Sequence, residues 1–154
     1  MASMTSPSIS PYAMPAPVAA APDRGASARR LAGWVSLAGA AVVAAGSLLP
    51  WASVMLVGPI YGTDGDGVIT LTLAVLVGLL ALVAALGKGR GWMFAVAMVL
   101  GLLATAVAAY DLSNISNLVS SEGMASLGPG LPVIIAGGLV VMGAAFFAMV
   151  RGRR

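Results

Sequence analysis

The positive charges of this chain are concentrated at three places. All eight Lys and Arg residues fall within these clusters, and almost uninterrupted apolar runs separate them. Because loops on the cytoplasmic side of a membrane retain Lys and Arg, three clusters separated by two pairs of apolar spans predict four crossings with both termini in the cytoplasm. The clusters are Arg24, Arg29 and Arg30; Lys88 and Arg90; and Arg151, Arg153 and Arg154.

The composition also indicates a membrane protein. Hydrophobic residues make up 60% of the sequence and charged residues 8%, whereas an average soluble domain has about 25% charged residues. The predicted fold class is therefore all-α, an integral membrane four-helix bundle of two antiparallel helical hairpins. The net charge of +3 does not favour nucleic acid as a partner, because the basic residues flank apolar spans rather than forming a basic stripe.

The chain divides into a tail and a membrane domain. Residues 1–28 hold five of the nine prolines and show no periodic apolar pattern, so we expect a disordered cytoplasmic tail. Residues 29–154 form the predicted four-span transmembrane domain, in which each span has close to the roughly 20 residues that cross a bilayer. The spans are predicted at about 31–50, 68–86, 92–110 and 131–150, with outer loops at 52–66 and 111–130.

Two interpretations of these segments stay open. Span one could be a cleaved signal peptide, because small residues at 44–46 follow an apolar run, although the run is longer than such peptides need. The second outer loop could hold a short amphipathic helix on the membrane surface, or it could be an ordinary loop. The helical alternative depends on Leu112, Ile115, Leu118 and Val119, which share one helical face.

Aromatic residues lie close to the predicted span ends, as is common at membrane–water interfaces. An amphipathic ring is stable at this depth because its apolar body faces lipid while its polar atom reaches water. Their positions therefore agree with span boundaries drawn from hydropathy alone. The residues are Trp34, Trp51, Tyr61, Trp92 and Tyr110.

Small residues recur along spans two and three at spacings of four, three and four. Such spacing places them on one face of each helix. Lipid provides no hydrophobic drive for helix association, so small side chains that let backbones approach are typical of packed transmembrane helices. Alternatively, an alanine-rich composition produces such small-residue stripes by chance. The predicted helix-packing residues are Ala74, Gly78, Ala81, Ala85, Ala97, Gly101, Ala104 and Ala108.

The first outer loop supplies the only candidate ligand-binding residues: Trp51, Tyr61, Asp64 and Asp66. The carboxylates of Asp64 and Asp66 alternate with glycine, as in loops that wrap calcium. However, valine occupies the fifth and twelfth positions of such a loop, where oxygen ligands are required. We therefore expect Asp64 and Asp66 to cap the N-terminus of span two, where a negative charge meets the helix dipole favourably.

Reactive groups are scarce. The sequence contains no Cys and no His, and no charged residue falls within a predicted span. Ion-coupled transporters usually need ionisable groups at that depth, and neither outer loop pairs a nucleophile with a base. We therefore expect no enzyme activity, no cofactor and no metal.

The first hairpin resembles a known group of proteins. Leu49-Pro50-Trp51 ends span one, and Gly65-Asp66-Gly67 leads into Thr70-Leu71-Thr72-Leu73-Ala74. Over residues 31–87 this resembles the small four-span membrane proteins of unassigned function that are common in actinobacteria. The resemblance implies a four-helix membrane fold in the plasma membrane, and it implies no catalytic or ligand residues.

The predicted role is that of a non-catalytic accessory or scaffolding subunit. Its partners would be the lipid bilayer and, through helix packing, either further copies of itself or a larger membrane complex. One alternative is a small-solute channel formed by oligomerisation around hydroxyl-lined helices. A second alternative is an outer-loop sensor or ligand-binding module built on the four loop candidates.

Overall fold

The computed structural model describes residues 24–55, 58–122 and 125–151, most of which are helical. Four helices in this part of the chain are long and apolar enough to cross a membrane. This confirms the predicted number of apolar helices. Residues 1–23 of the predicted tail lie outside the described residues, and residues 24–28 belong to the first helix rather than to a tail. The helices are α1 (Arg24–Leu48), α2 (Gly67–Val83), α3 (Gly91–Glu122) and α4 (Gly130–Arg151).

The helices form an antiparallel ring in which α1 packs against α4 and α2, and α3 packs against α4 and α2. The start of α1, the turn between α2 and α3, and the end of α4 therefore meet at one end, which we term the basic end. Cations of all three clusters lie there. We term the opposite end, which carries the described part of the two outer loops, the sheet end.

The core has three layers along the bundle axis. Near the basic end, Phe94 packs among small side chains such as Ala32 and Ala145. The middle layer contains Val77 and Val141 with Ala40. The layer at the sheet end contains the largest side chains. Its members are Val43, Trp51, Ala74, Ala104, Ala108, Leu131 and Ile134.

Helices α1 and α4 touch through two reciprocal pairs of glycines. A Cβ atom added to Gly39 would lie 3.0 Å from the carbonyl oxygen of Gly137, and one added to Gly137 would lie 2.8 Å from that of Gly39. Gly46 and Gly130 form the second pair, with corresponding distances of 2.9 and 2.8 Å. Only glycine permits this approach, which brings the two backbones into van der Waals contact.

Two further glycine contacts complete the ring. Between α3 and α4, a Cβ at Gly101 would lie 3.4 Å from the Gly138 carbonyl oxygen, and one at Gly138 would lie 3.1 Å from that of Gly101. Between α1 and the end of α2, Gly33 lies against the backbone of Ala84, whose carbonyl carbon would be 2.8 Å from an added Cβ. Backbone contact therefore recurs at three of the helix interfaces.

The sheet end contains a small antiparallel sheet that the all-α prediction missed. Its strands are β1 (Pro50–Val54), β2 (Gly58–Tyr61) and β3 (Ala125–Leu127), in the order β2-β1-β3. Ala52 at the centre pairs with Ile60 on one side and with Leu127 on the other. Strand β1 thus forms a local hairpin with β2 and also joins the first outer loop to the second. The pairing with β3 links segments far apart in sequence, so no local pattern predicts it.

Helix α3 is longer than predicted. The expected end at Tyr110 is wrong, because the helix continues through the predicted loop to Glu122 and reaches about 48 Å. The Ser113 and Ser116 hydroxyls donate to the carbonyls of Tyr110 and Ser113, at 2.7 and 2.8 Å. Leu112 and Ile115 also pack against the core at the sheet end. The extension is therefore continuous with α3 and packs against the core instead of forming a separate helix.

We expect Gly46→Ala to destabilise the bundle and Gly78→Ala to be tolerated. A methyl group at position 46 would lie 2.7 Å from Ile134 Cγ1, whereas one at position 78 would have its nearest neighbour, Ala40 Cβ, at 3.9 Å. Overpacking costs on the order of 1–3 kcal/mol, while Ala favours a helix over Gly by about 1 kcal/mol. Thermal unfolding of both variants in one detergent measures the difference, and equal shifts in Tm would contradict the glycine-mediated contact.

Candidate functional site

Trp51, a predicted loop candidate, is buried at the sheet end. Strand β1 begins directly after α1 and turns the indole inward, where 6% of the residue is exposed. The indole N–H donates to the carbonyl oxygen of Gly46 at 3.2 Å. Added Cβ atoms at Gly62 and Gly130 would each lie 2.5 Å from indole atoms, so these glycines make room for the ring. Trp51 therefore closes the bundle rather than facing a ligand.

Tyr61 and Asp64 lie on the exposed side of the sheet end. The backbone N–H of Tyr61 donates to Asp64 Oδ2 at 3.1 Å, so this carboxylate caps the short 3₁₀ turn Gly62–Asp64. The expectation that Asp64 caps α2 is wrong, because its carboxylate accepts a hydrogen bond at the 3₁₀ turn that precedes α2.

Asp66 occupies the position directly before α2. Its backbone carbonyl accepts hydrogen bonds from the amides of Ile69 and Thr70, at 3.0 and 3.2 Å. Its side chain makes no capping hydrogen bond. The predicted side-chain cap is therefore wrong for Asp66 as well, although the residue stands where a cap would. Within the described residues, no three Asp, Glu, His or Cys side chains are grouped as metal ligands would be.

The four loop candidates do not form one pocket. The Trp51 ring faces the bundle interior, whereas Tyr61, Asp64 and Asp66 are exposed. A third acidic residue, Asp111, is half-buried in α3, and its Oδ2 atom has no hydrogen-bond partner among the described residues. The sheet end therefore carries negative charge without an enclosed site.

Hydroxyl groups inside the bundle mostly bond to their own helices. Thr105 donates to the carbonyl of Gly101 at 2.8 Å. Ser47 and Thr70 lie 2.8 Å apart through their hydroxyl oxygens and link α1 to α2. They also reach carbonyls of their own helices, at 2.9 Å for Ser47 to Val43 and 3.0 Å for Thr70 to Gly67. These hydroxyl groups therefore make their hydrogen bonds within the protein and do not line a channel through the bundle.

Ser36 is the exception among the buried hydroxyls. Only 1% of the residue is exposed, and its Oγ has no hydrogen-bond partner in the described part of the chain. It borders a small cavity between α1, α2 and α3 that has room for about one water molecule. The other lining residues are Leu80, Ala81, Ala84, Met93, Phe94 and Ala97.

Both predicted small-residue stripes face into the bundle. Gly78 is half-buried and in ordinary contact distance of Ala40, and Gly101 meets Gly138. The alanines of the two stripes are all buried: Ala74, Ala81, Ala85, Ala97, Ala104 and Ala108. These faces are therefore occupied by the chain's own helices.

Helices α1 and α4 meet through glycines that lie outside the two predicted stripes of spans two and three. Gly39 and Gly46 in α1, and Gly130 and Gly137 in α4, are separated by seven residues, which is two helical turns. The matching seven-residue intervals in the first and last spans are the sequence feature that indicates this contact. Four-residue spacing drew attention to alanines instead.

A further pair of small residues on α4 faces outward. Ala136 and Gly143 are exposed and again lie seven residues apart. An added Cβ at Gly143 would meet no heavy atom within 4 Å. The large neighbours Leu139, Val140 and Phe146 are exposed on the same helix. This outward pair, which we term the α4 outer face, has the spacing of the internal glycine pairs and lacks a partner among the described residues.

Comparison with protein-family models, with curated proteins and with solved structures gave no match. The residues and contacts described above are therefore the basis for assigning a role.

We expect Ser36→Ala to raise the free energy of unfolding and Ser47→Ala to lower it, each by on the order of 1 kcal/mol. Both residues are almost fully buried, but only the Ser47 hydroxyl has a partner, in Thr70. Equilibrium unfolding of the two variants in detergent measures the change. A loss for Ser36→Ala as large as that for Ser47→Ala would contradict an unpaired hydroxyl.

Proposed function

We propose that this chain is a non-catalytic accessory or scaffolding subunit of a membrane assembly, formed with further copies of itself or within a larger complex. The supporting observation is the α4 outer face, where Ala136 and Gly143 leave a helix surface open beside large apolar side chains. A transmembrane helix gains little from glycine on a surface that meets only lipid, because glycine lowers helix propensity by about 1 kcal/mol.

The internal contacts of the bundle indicate how a partner would bind. In α1 and α4, small residues seven apart allow two antiparallel helices to bring their backbones together. Ala136 and Gly143 repeat this interval on the opposite side of α4. A partner helix would pack there by the same van der Waals contact, with Leu139 and Phe146 bordering the interface.

The proposed location is the plasma membrane, with both termini in the cytoplasm. Basic residues from all three clusters meet at the basic end, whereas the acidic residues Asp64, Asp66 and Asp111 belong to the other end. The positive-inside rule favours an orientation that keeps the basic end in the cytoplasm.

Thiol labelling in intact cells tests the orientation. Gly65 and Gly91 both have open space around an added Cβ, and the chain contains no Cys of its own. We expect an impermeant thiol reagent to label Gly65→Cys in intact cells and Gly91→Cys only after permeabilisation. Labelling of both from the same side would contradict the proposed topology.

Bulky substitutions on the α4 outer face test the scaffolding role. We expect the wild-type protein, extracted from native membranes in mild detergent and crosslinked, to be part of an assembly larger than a monomer. Ala136→Leu and Gly143→Leu should each weaken association at least about tenfold, or about 1.4 kcal/mol, by separating the helices.

The matched control is Ala95→Leu, which makes the same change at an exposed position of α3. It should leave the assembly intact. A wild-type protein found only as a monomer without a partner would contradict the scaffolding role. An equal effect of Ala95→Leu would contradict its assignment to the α4 outer face.

A further inference from the structure

The turn between α2 and α3 has an unusual backbone at the basic end. The last turn of α2 widens into a π-helical turn, Ala84–Lys88, in which Gly87 has a φ of 82°. Only glycine adopts this left-handed conformation without strain. The chain then extends through Gly89 and enters α3 at Gly91. The turn is therefore short and conformationally restricted.

Arg30 of α1 lies directly against this turn. A Cβ added to Gly87 would be 2.6 Å from Arg30 Nε and 2.7 Å from Nη2, so the guanidinium group rests on the glycine backbone. The missing side chain at position 87 makes this contact possible. The same contact places the Arg30 charge beside Lys88, which follows Gly87 in the chain.

Three cations are thus gathered from two helical segments. Arg30, Lys88 and Arg90 are all exposed, and the close contact at Gly87 joins their segments. The carboxylates in the described part of the chain belong to the sheet end, so none offsets these charges locally. Helix α3 begins here and α2 ends here, so the opposite ends of two helix dipoles meet and the side-chain cations set the sign of the local potential.

Apolar residues beside the turn indicate which kind of anion would reach it. Trp92 and Leu86 flank the cations, and 59% and 61% of these residues are exposed. In a membrane-embedded bundle, an exposed Trp at a span end lies at the depth of the lipid headgroups. An anion carried by a lipid is delivered at that depth, whereas a soluble anion is not.

We propose that Arg30, Lys88 and Arg90 form a binding site for the phosphate group of an anionic phospholipid. Guanidinium groups donate paired hydrogen bonds to phosphate oxygens, and Lys supplies a point charge. Acyl chains of the bound lipid lie along Leu86 and Trp92. This inference rests on the proposed membrane embedding, and it is independent of the proposed partner at the α4 outer face.

Lipid binding to the purified full-length chain tests the site. The protein is reconstituted in nanodiscs of phosphatidylcholine with increasing phosphatidylglycerol, and retained lipid is quantified by native mass spectrometry. We expect preferential retention of phosphatidylglycerol. Lys88→Gln and Arg90→Gln should each weaken it about fivefold, as about 1 kcal/mol for each cation near an anionic surface implies.

Two control variants separate a defined site from general charge. Arg24→Gln removes one exposed cation of α1 that lies six residues before Arg30 and is not among the contacts of Gly87, and it should change retention by less than about twofold. Arg30→Lys keeps the charge and removes the fork of donors, so it should weaken retention less than Arg30→Gln. Equal losses for Arg24→Gln and Lys88→Gln would overturn the site.

A competition experiment distinguishes binding of the lipid from binding of a soluble anion. Inorganic phosphate is added to the phosphatidylglycerol nanodiscs, and we expect it not to displace the lipid at millimolar concentration. Displacement, or equal retention of phosphatidylcholine and phosphatidylglycerol, would overturn the assignment. Both leaflets of a nanodisc are alike, so a negative result here would leave the proposed orientation and scaffolding role standing.

Discussion

Backbone contact between α1 and α4 is the interaction on which this bundle depends. Its four helices are long and apolar enough to cross a membrane, and helices in lipid associate through close packing rather than through the hydrophobic effect. Gly39 with Gly137, and Gly46 with Gly130, bring the first and last helices together at two levels. Pairing the ends of the chain in this way closes the ring, and α2 and α3 then fill the remaining sides with buried alanines.

The structure of the sheet end follows from the same contact. Where Gly46 and Gly130 meet, they leave a space that the Trp51 indole fills, with its N–H bonded to the Gly46 carbonyl. Burial of this ring fixes the start of β1, which pairs with β2 and β3 and thereby holds both outer loops. A residue that sequence alone would place in a ligand-binding loop thus has a structural role.

The surfaces, rather than the interior, carry the features that indicate a role. Buried hydroxyls such as Ser47 and Thr70 are bonded within the protein, and the small-residue stripes are covered by neighbouring helices. What remains is an open helix surface at Ala136 and Gly143, and a group of cations around Gly87. These surfaces support the proposals of a partner helix and of an anionic lipid.

Hydropathy and charge are properties of short segments, so the number of apolar helices, their approximate positions and the clustering of cations could be predicted from the sequence. It did not determine the end of α3, which continues past Tyr110 because Leu112 and Ile115 find packing partners in the core. Nor did it determine the pairing of β1 with β3, which joins segments about 70 residues apart.

Which helix faces are covered by neighbouring helices depends on the packing of the folded chain. Helical periodicity shows that Ala74 and Ala81 share a face, and that Ala136 and Gly143 share another, but it does not show what each face meets. The first pair is covered by the bundle and the second is open. The burial of Trp51 likewise required Gly46, Gly62 and Gly130 to converge from three segments, and such convergence depends on the packing of the whole chain.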